Sequence, residues 1–155
     1  MKKWPWFVLA LVVIMLDQGS KYMALIDLMP YQPKSILPMF NLTLAYNTGA
    51  AFSFLSGAGE WHRWLFAGFS TLMSVALIAW MLNVEKGAHL SLLALSLILG
   101  GAVGNLIDRA FFGYVIDFID IFYNSHHWPV FNVADSAICI GAFLMFIDML
   151  RKESK

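Results

Sequence analysis

Charged residues are scarce in this chain. Asp, Glu, Lys and Arg make up 13% of its 155 residues, and ten acidic side chains balance ten basic ones. A soluble domain usually carries about 25% charged residues. Because the chain has neither a net positive charge nor a basic tail, it offers no surface suited to a phosphate backbone, and we expect no nucleic-acid partner.

Cysteine is almost absent as well, with Cys139 the single example. One cysteine cannot form an intrachain disulfide or a cysteine-based metal cluster. The four histidines do not form an HExxH motif either. We therefore predict no metal and no cofactor, and we interpret Cys139 as a small apolar residue inside a helix.

Apolar residues, in contrast, are abundant. They form 60% of the chain, whose mean hydropathy is +0.70, whereas soluble domains are about 45–50% apolar. Four apolar runs are long enough to cross a membrane, which takes about 20 residues per helix. We predict a membrane all-α protein, residues 1–155 forming a single domain, with transmembrane helices at about 6–26, 64–82, 88–107 and 133–150.

The first apolar run resembles a secretory signal peptide, but residues 17–21 lack a small-x-small cleavage site, so we predict a retained helix. Four spans place both termini on one side of the membrane. Basic residues favour cytoplasmic termini by six to three. The six are Lys2, Lys3, Lys86, Arg151, Lys152 and Lys155, and the three are Lys34, Arg63 and Arg109.

The connection between the first two spans, residues 27–63, is long, and its three prolines disfavour helix. Large apolar residues alternate along residues 40–46, which predicts a strand, and residues 47–49 have the composition of a turn. Residues 115–122 are rich in β-branched and aromatic side chains and predict another strand. We expect a small β-structured cradle on the extracytoplasmic face, with exposed apolar side chains that touch membrane lipid.

Polar side chains concentrate between residues 105 and 135. Ionisable groups at membrane depth cost roughly 2.5–3.5 kcal/mol each on insertion scales, so they usually mark a function. Asn105, Asp108 and Arg109 share one helix face through their i, i+3, i+4 spacing. The spacing allows Asp108 and Arg109 to brace the loop that follows. Arg109 is also placed to meet lipid phosphate or a substrate carbonyl.

Asp17 and Lys21 lie four residues apart and share a face near the outer end of the first helix. Two interpretations stay open for them. They form either a self-neutralising pair that lets the helix insert, or polar groups that line a cavity near the functional residues.

Three aspartates are candidates for chemistry. On a strand, Asp117 and Asp120 point to opposite faces, and the spacing does not decide which one faces a cavity. With Asn132 as N-cap of the fourth helix, Asp135 takes the N3 position of a capping box. A helix N-terminus favours a carboxylate, so we expect Asp135 to ionise and Asp117, in an apolar strand, to stay protonated. Two carboxyls that share a proton are the machinery of an aspartic protease.

Two other functions remain as alternatives. A small transporter or proton channel would need a polar path into the cytoplasmic half, where the second and fourth spans offer only a few hydroxyl groups. A Ser–Lys membrane hydrolase would pair Lys21 with Ser20, Ser53 or Ser136. Ser20 and Lys21 are helix neighbours that point apart, so that pairing fails.

Five blocks of the sequence resemble lipoprotein signal peptidase, also called signal peptidase II or prolipoprotein signal peptidase, an aspartic peptidase family of the bacterial cytoplasmic (inner) membrane. They are Asp17-Gln18 with Lys21, and residues 47–52, 100–109, 115–118 and 131–136. The resemblance covers almost the whole chain and implies a catalytic dyad of Asp117 and Asp135 rather than Asp120. The residues it implies around this dyad are Asn47, Gly49, Asn105, Arg109, Asn132, Asp17 and Lys21. We predict Asp108 as a further supporting residue.

The same resemblance implies a substrate. The family cleaves prolipoproteins on the amino side of a cysteine that already carries diacylglyceryl, and it is inhibited by the cyclic peptide globomycin. We therefore expect an intramembrane aspartic endopeptidase, active as a monomer, whose active site faces the periplasm.

Overall fold

A computed structural model describes residues 2–49, 61–85 and 87–153, apart from the side chains of residues 61, 62 and 153. Within these residues the chain forms four long helices and one four-stranded sheet. The helices are α1 (Trp4–Asp27), α2 (Trp61–Asn83), α3 (His89–Phe111) and α4 (Val133–Glu153). The strands are β1 (Lys34–Leu37), β2 (Phe40–Asn47), β3 (Val115–Tyr123) and β4 (His126–His127).

The four helices are long and apolar enough to cross a membrane, which confirms the predicted spans. Most predicted helix ends differ from the observed ends by three residues or fewer. The third span is the exception, because its helix continues past residue 107 to Phe111. The predicted end is four residues short, but Asp108 and Arg109, which their spacing placed on this helix, do lie in its last turn. Asp108 is neutralised by Lys21, and the Arg63 side chain donates to the helix-end carbonyls of Arg109 and Ala110.

Helix α3 is central: it packs against α1, α2 and α4, whereas α2 and α4 do not meet within the described residues. Small residues permit the close approach. A Cβ placed on Gly101 would lie 2.3 Å from the backbone oxygen of Ala134 in α4, and one on Gly100 would lie 2.6 Å from Val13 in α1. The glycines of α3 therefore fix how closely α1 and α4 pack against it.

The sheet is antiparallel in the order β1-β2-β3-β4, which confirms a small β-structure and both predicted strands. Its extracytoplasmic position stays a prediction. Strands β2 and β3 pair along most of their length, with Ala45 opposite Asp117. Ile116 and Phe118 pack with residues from the end of α1 in one buried cluster. Because neighbouring side chains on a strand alternate, Asp117 is directed away from that cluster. Residues 50–60, which follow the predicted turn, lie outside the described residues.

The described residues next to the two termini lie at the end of the bundle opposite the sheet. Lys3, just before α1, donates to the carbonyls of Leu82 and Val84 at the end of α2. Near the end of α4, Lys152 contacts Ser91 at the start of α3. The basic residues near both termini therefore share one end of the bundle, and the candidate functional residues lie at the other.

Candidate active site

Asp117 lies on β3 and is only 2% exposed. One carboxyl oxygen accepts a hydrogen bond of 2.9 Å from the Asn47 amide, and the other accepts one of 2.7 Å from the Asn132 amide. Burial raises the pKa of Asp117 to about 7, although the Asn47 hydrogen bond opposes the rise; the charge of Asp135 raises it further. The Asp117 carboxyl therefore retains a proton up to near-neutral pH.

Asp135 opens α4 in the predicted capping box. Its backbone N–H donates to the Asn132 side-chain oxygen at 2.9 Å, and the Asn132 backbone N–H donates back to Asp135 Oδ2 at 3.2 Å. The other carboxyl oxygen, Oδ1, accepts a hydrogen bond of 2.8 Å from the Asn105 amide. Oδ2 of Asp135 therefore caps helix α4, while Oδ1 belongs to the polar site.

Asn105 and Asn132 connect the two aspartates. The Asn132 amide that donates to Asp117 also lies 3.2 Å from the Asn105 side-chain oxygen, while the Asn105 amide donates to Asp135. Asn132 is completely buried. A continuous chain of side chains, Asp117–Asn132–Asn105–Asp135, therefore links β3, α3 and the start of α4.

A buried ionic cluster supports this chain from α1. Lys21 Nζ lies 2.8 Å from a carboxylate oxygen of Asp17, 2.8 Å from one of Asp108 and 3.0 Å from Asn105 Oδ1. Lys21 is 1% exposed, and both carboxylates are fully buried. The two interpretations of the Asp17–Lys21 pair are therefore compatible, because the pair neutralises itself and also contacts a residue of the polar site.

The same carboxylates hold the backbone next to each candidate aspartate. Asp17 Oδ1 accepts the N–H of Ala134 at 2.9 Å, one residue before Asp135. Asp108 Oδ2 accepts the N–H of Ile116 at 3.0 Å, one residue before Asp117. The predicted bracing of the following loop by Asp108 is therefore observed.

Gln18 contributes to this cluster but was not among the predicted supporting residues. Its amide donates to carboxylate oxygens of Asp17 and Asp108 at 3.1 and 2.9 Å, and to the Gly104 carbonyl at 3.1 Å. The available signal was its place in the Asp17-Gln18 block that resembles the family.

Arg109 and Gly49 flank an aromatic residue of α2 that the sequence did not single out. The Arg109 guanidinium carbon lies 5.8 Å from the centroid of the Phe66 ring. Gly49 has φ +85°, and a Cβ there would lie 2.7 Å from the same ring. The Gly49 N–H also donates to the Asn47 side-chain oxygen at 2.9 Å, which leaves the Asn47 amide directed at Asp117.

Asp120 lies apart from this arrangement. It accepts a hydrogen bond of 2.9 Å from Thr43, and its other oxygen lies 2.7 Å from His127 Nδ1. Burial raises its pKa, but the hydrogen bonds from His127, Thr43 and Asn41 outweigh burial and lower the pKa overall. The partners of Asp120 thus belong to the sheet, whereas Asp117 is the strand aspartate connected to Asp135.

A cavity of about 420 Å³ leads away from Asp135 between α2, α3 and α4. Asn105, Arg109 and Asp135 form its polar end. Apolar side chains continue it along the helices, among them Phe69, Met73 and Ile138. Because α2 and α4 do not meet among the described residues, the cavity lies at a gap in the bundle.

Metal ligands are not grouped in this region. Among the residues that the structure describes, no three His, Cys, Asp or Glu side chains are arranged to hold an ion. The expectation that the protein uses no metal and no cofactor stays a prediction, to be tested with chelators.

The comparisons with known proteins agree with the sequence blocks. The family model described as signal peptidase (SPase) II matches residues 9–151. The lipoprotein signal peptidase of Acinetobacter baylyi is 49% identical over 150 residues, which is 97% of this chain and 84% of that protein. The lipoprotein signal peptidase of Coxiella burnetii is 50% identical over 153 residues, which is 99% of this chain and 94% of that protein.

A solved structure is also similar. It is described as "Bacterial membrane enzyme structure by the in meso method at 1.9 A resolution" and matches with a TM-score of 0.84 and 31% identity. The match covers 94% of this chain and 92% of that one. With this fold, these sequence matches and four apolar helices, the chain is a multi-pass membrane protein that belongs to the signal peptidase II family, the lipoprotein signal peptidases.

Proposed function

We propose that this lipoprotein signal peptidase works by aspartic catalysis and cleaves diacylglyceryl-modified prolipoproteins on the amino side of the lipidated cysteine. One observation carries the proposal: Asp117 and Asp135 come from different elements and are joined through two asparagine side chains. A buried carboxyl that keeps its proton beside a carboxylate at a helix N-terminus is the combination that aspartic catalysis needs.

The two aspartates then have different tasks. Asp135 accepts a proton from the attacking water while Asp117 donates its proton to the scissile carbonyl oxygen, so a tetrahedral diol forms. When the diol collapses, the C–N bond breaks, the proton held by Asp135 passes to the leaving nitrogen, and Asp117 recovers its proton from the diol hydroxyl. The products are the signal peptide with a free carboxylate and the lipidated cysteine with a free amino group.

The cavity between α2 and α4 supports a membrane-borne substrate. Its apolar walls suit a signal-peptide helix or acyl chains, and its polar end carries Asp135. Arg109 lines the same end with a guanidinium that donates in a fixed geometry, so we assign it to binding a substrate carbonyl. Globomycin-type inhibitors would occupy this space as well.

We further propose that both termini are cytoplasmic and that the dyad lies at the periplasmic face. The bundle end with the termini carries the larger share of basic residues, in keeping with the positive-inside rule. On the sheet, large apolar side chains such as Leu37, Met39 and Tyr123 are exposed, which suits contact with outer-leaflet lipid.

Replacement of each aspartate by asparagine tests the proposal. Purified Asp117→Asn and Asp135→Asn should remain folded and lose turnover of a lipidated prolipoprotein by about 10²–10⁴-fold or more, since each removes a proton-transfer group. Asp120→Asn is the matched control, because Asp120 is equally buried on the same strand but bonded within the sheet. Substantial turnover by either dyad variant would sink the aspartic mechanism. EDTA should leave wild-type activity unchanged. If EDTA abolished activity and zinc restored it, the protein would be a metallopeptidase.

The Ser–Lys alternative is disfavoured by the contacts of the described serines. Ser20 and Ser136 donate to backbone carbonyls of Asp17 and Asn132. The third candidate, Ser53, lies outside the described residues. A Ser–Lys contact of 3.1 Å does occur between Ser91 and Lys152, but at the opposite end of the bundle. Asp148 lies 2.8 Å from the Lys152 ammonium and also accepts a hydrogen bond from Ser91, so the Ser91 hydroxyl is directed at a carboxylate and not at a base.

The channel alternative is disfavoured by the core of the bundle. Between the polar site and the polar group at the opposite end, α3 contributes Leu92, Leu95 and Leu99 to a buried apolar cluster. Met81 of α2 lies in the same cluster and is fully buried. An apolar layer of this kind separates the ionisable groups at the two ends, whereas a proton path requires polar groups at short intervals.

A further inference from the structure

We propose that Lys21 determines which aspartate of the dyad carries the shared proton, by fixing the orientation of the Asn105 carboxamide. The inference rests on the aspartic mechanism proposed above. It assigns Lys21 a positioning role in catalysis, exerted through Asn105 without contact with the substrate.

The argument begins with the hydrogen-bonding capacity of lysine, whose ammonium has three donors and no acceptor. Lys21 Nζ has three acceptors around it, on Asp17, Asp108 and Asn105, at 2.8, 2.8 and 3.0 Å. The atom of Asn105 that faces Lys21 must therefore be its oxygen. The Asn105 amide nitrogen then has to face the other way, where it lies 2.8 Å from Asp135 Oδ1.

Rotation of the Asn105 carboxamide by half a turn would exchange its oxygen and nitrogen. The amide would then face the Lys21 ammonium and also the Asn132 amide, which lies 3.2 Å from the present oxygen position. Both contacts would set donor against donor. With the rotation blocked, Asn105 only donates to Asp135 and cannot accept a hydrogen bond from its protonated form, which favours the ionised form of Asp135.

In the part of the chain that the structure describes, Asp117 has no cation behind its donors. It also receives two side-chain amides, but each is oriented by a neutral backbone group. The Asn47 oxygen accepts the N–H of Gly49. The Asn132 oxygen accepts the N–H of Asp135. Asn47 is exposed, and no cation lies within ion-pair distance of Asp117 among the described residues. The two aspartates therefore differ in what fixes their hydrogen-bond donors, and this difference directs the proton to Asp117.

The positive charge of Lys21 does not by itself explain why Asp135 is the ionised aspartate. Two ionisable groups interact with Asp135 directly through their charge, Arg109 from α3 and Asp117 from β3. The cluster of Asp17, Lys21 and Asp108 lies behind them and reaches Asp135 through Asn105 and the N–H of Ala134. With Asp17 and Asp108 ionised, Lys21 and its two partners together carry one negative charge, which would disfavour a second negative charge nearby. The favourable effect of Lys21 on an ionised Asp135 thus acts through the direction of the Asn105 donor.

The test compares variants matched in charge. Lys21→Gln/Asp17→Asn keeps the net charge of the cluster but removes the donor-only partner of Asn105, since a glutamine amide both donates and accepts. The measurement is the pH profile of kcat/KM on a lipidated prolipoprotein in detergent micelles. The acid limb of the double variant's profile should lie about one to two pH units above that of wild type, which is the size expected for the loss of a hydrogen bond to a charged group. The basic limb should stay in place, and kcat should fall more than KM changes.

Two single variants serve as controls. Asp17→Asn changes the cluster charge but leaves Lys21 on Asn105, so both limbs should move together with their separation retained. In Lys21→Arg the guanidinium also only donates, and the acid limb should stay at its wild-type position. An acid limb that stays in place in the folded double variant, or that moves equally in Lys21→Arg, would overturn the inference. Activity in Asp117→Asn would instead overturn the aspartic mechanism, so the two failures are distinguishable.

Discussion

Replacing Asp117 by asparagine should abolish activity and at the same time stabilise the protein above neutral pH. Burial raises the pKa of this carboxyl from its usual value of 3.8 to about 7. Between these two values the unfolded chain is ionised at this position while the folded chain must bind a proton. The unfavourable contribution of Asp117 is therefore absent below pH 3.8, grows as pH rises and is complete above about pH 7.

The magnitude follows from the shift. About three pH units correspond to about 4 kcal/mol at pH 8, since one unit is 1.36 kcal/mol. Asparagine does not titrate and avoids this penalty. Its own amide, however, would face the Asn47 or Asn132 amide that now donates to a carboxylate oxygen. An unsatisfied buried donor costs about 1–3 kcal/mol, so we expect a net gain of about 1–3 kcal/mol.

Thermal unfolding followed by tryptophan fluorescence at pH 4 and pH 8 measures this gain. For a chain of this size, 1 kcal/mol moves Tm by about 2–4 °C. Asp117→Asn should unfold at a higher temperature than wild type at pH 8 and lose that advantage at pH 4.

Asp120→Asn is the internal control, with the opposite sign expected at pH 8. Hydrogen bonds lower the pKa of Asp120 in the fold, so its contribution is stabilising above its usual pKa and is lost as pH falls. An Asp117→Asn variant that is less stable than wild type at pH 8 would contradict the assignment of a buried, protonated carboxyl.

Two further substitutions test the packing and the ionic cluster, both by thermal unfolding in the same detergent. Gly101→Ala places a Cβ 2.3 Å from the Ala134 oxygen, so we expect the free energy of unfolding to fall by about 1–3 kcal/mol. Gly19→Ala is the control, because nothing lies within 4 Å of its added Cβ, and it should cause no loss. Lys21→Met leaves two buried carboxylates without their cation and should lower the free energy of unfolding by about 3–5 kcal/mol. A loss below about 1 kcal/mol would show that the cluster is not ionised.

Local patterns in the sequence predicted the elements of this fold well. Hydrophobic runs locate helices because each span must satisfy its own backbone and present apolar side chains to lipid. The capping box of Asn132 and Asp135 was predictable because all of its hydrogen bonds join residues three apart. Strand alternation correctly separated Asp117 from Asp120 onto opposite faces.

The choice between these two aspartates lay beyond local pattern. It depends on which face of β3 packs against α1, and both faces carry apolar residues. The supporting contacts join distant positions: Lys21 meets Asn105 at a separation of 84 residues, and Asp17 meets Ala134 at 117. Spacing along one element has no information about such pairs. The resemblance to a family named Asp17, Lys21 and Asn105 as site residues beforehand, but not the contacts that they make.

The ionic cluster lies behind the proposed dyad, and its contacts explain why a membrane protein retains three buried charges there. Asp17 holds the backbone N–H of Ala134, directly before Asp135, and Asp108 holds that of Ile116, directly before Asp117. Lys21 binds both carboxylates and so couples the positions of two aspartates carried by different elements. Well-packed apolar residues would often be as stable as such a cluster. Apolar residues would not supply directional acceptors for two backbone segments. We infer that the charges are retained because they fix the geometry of the proposed dyad.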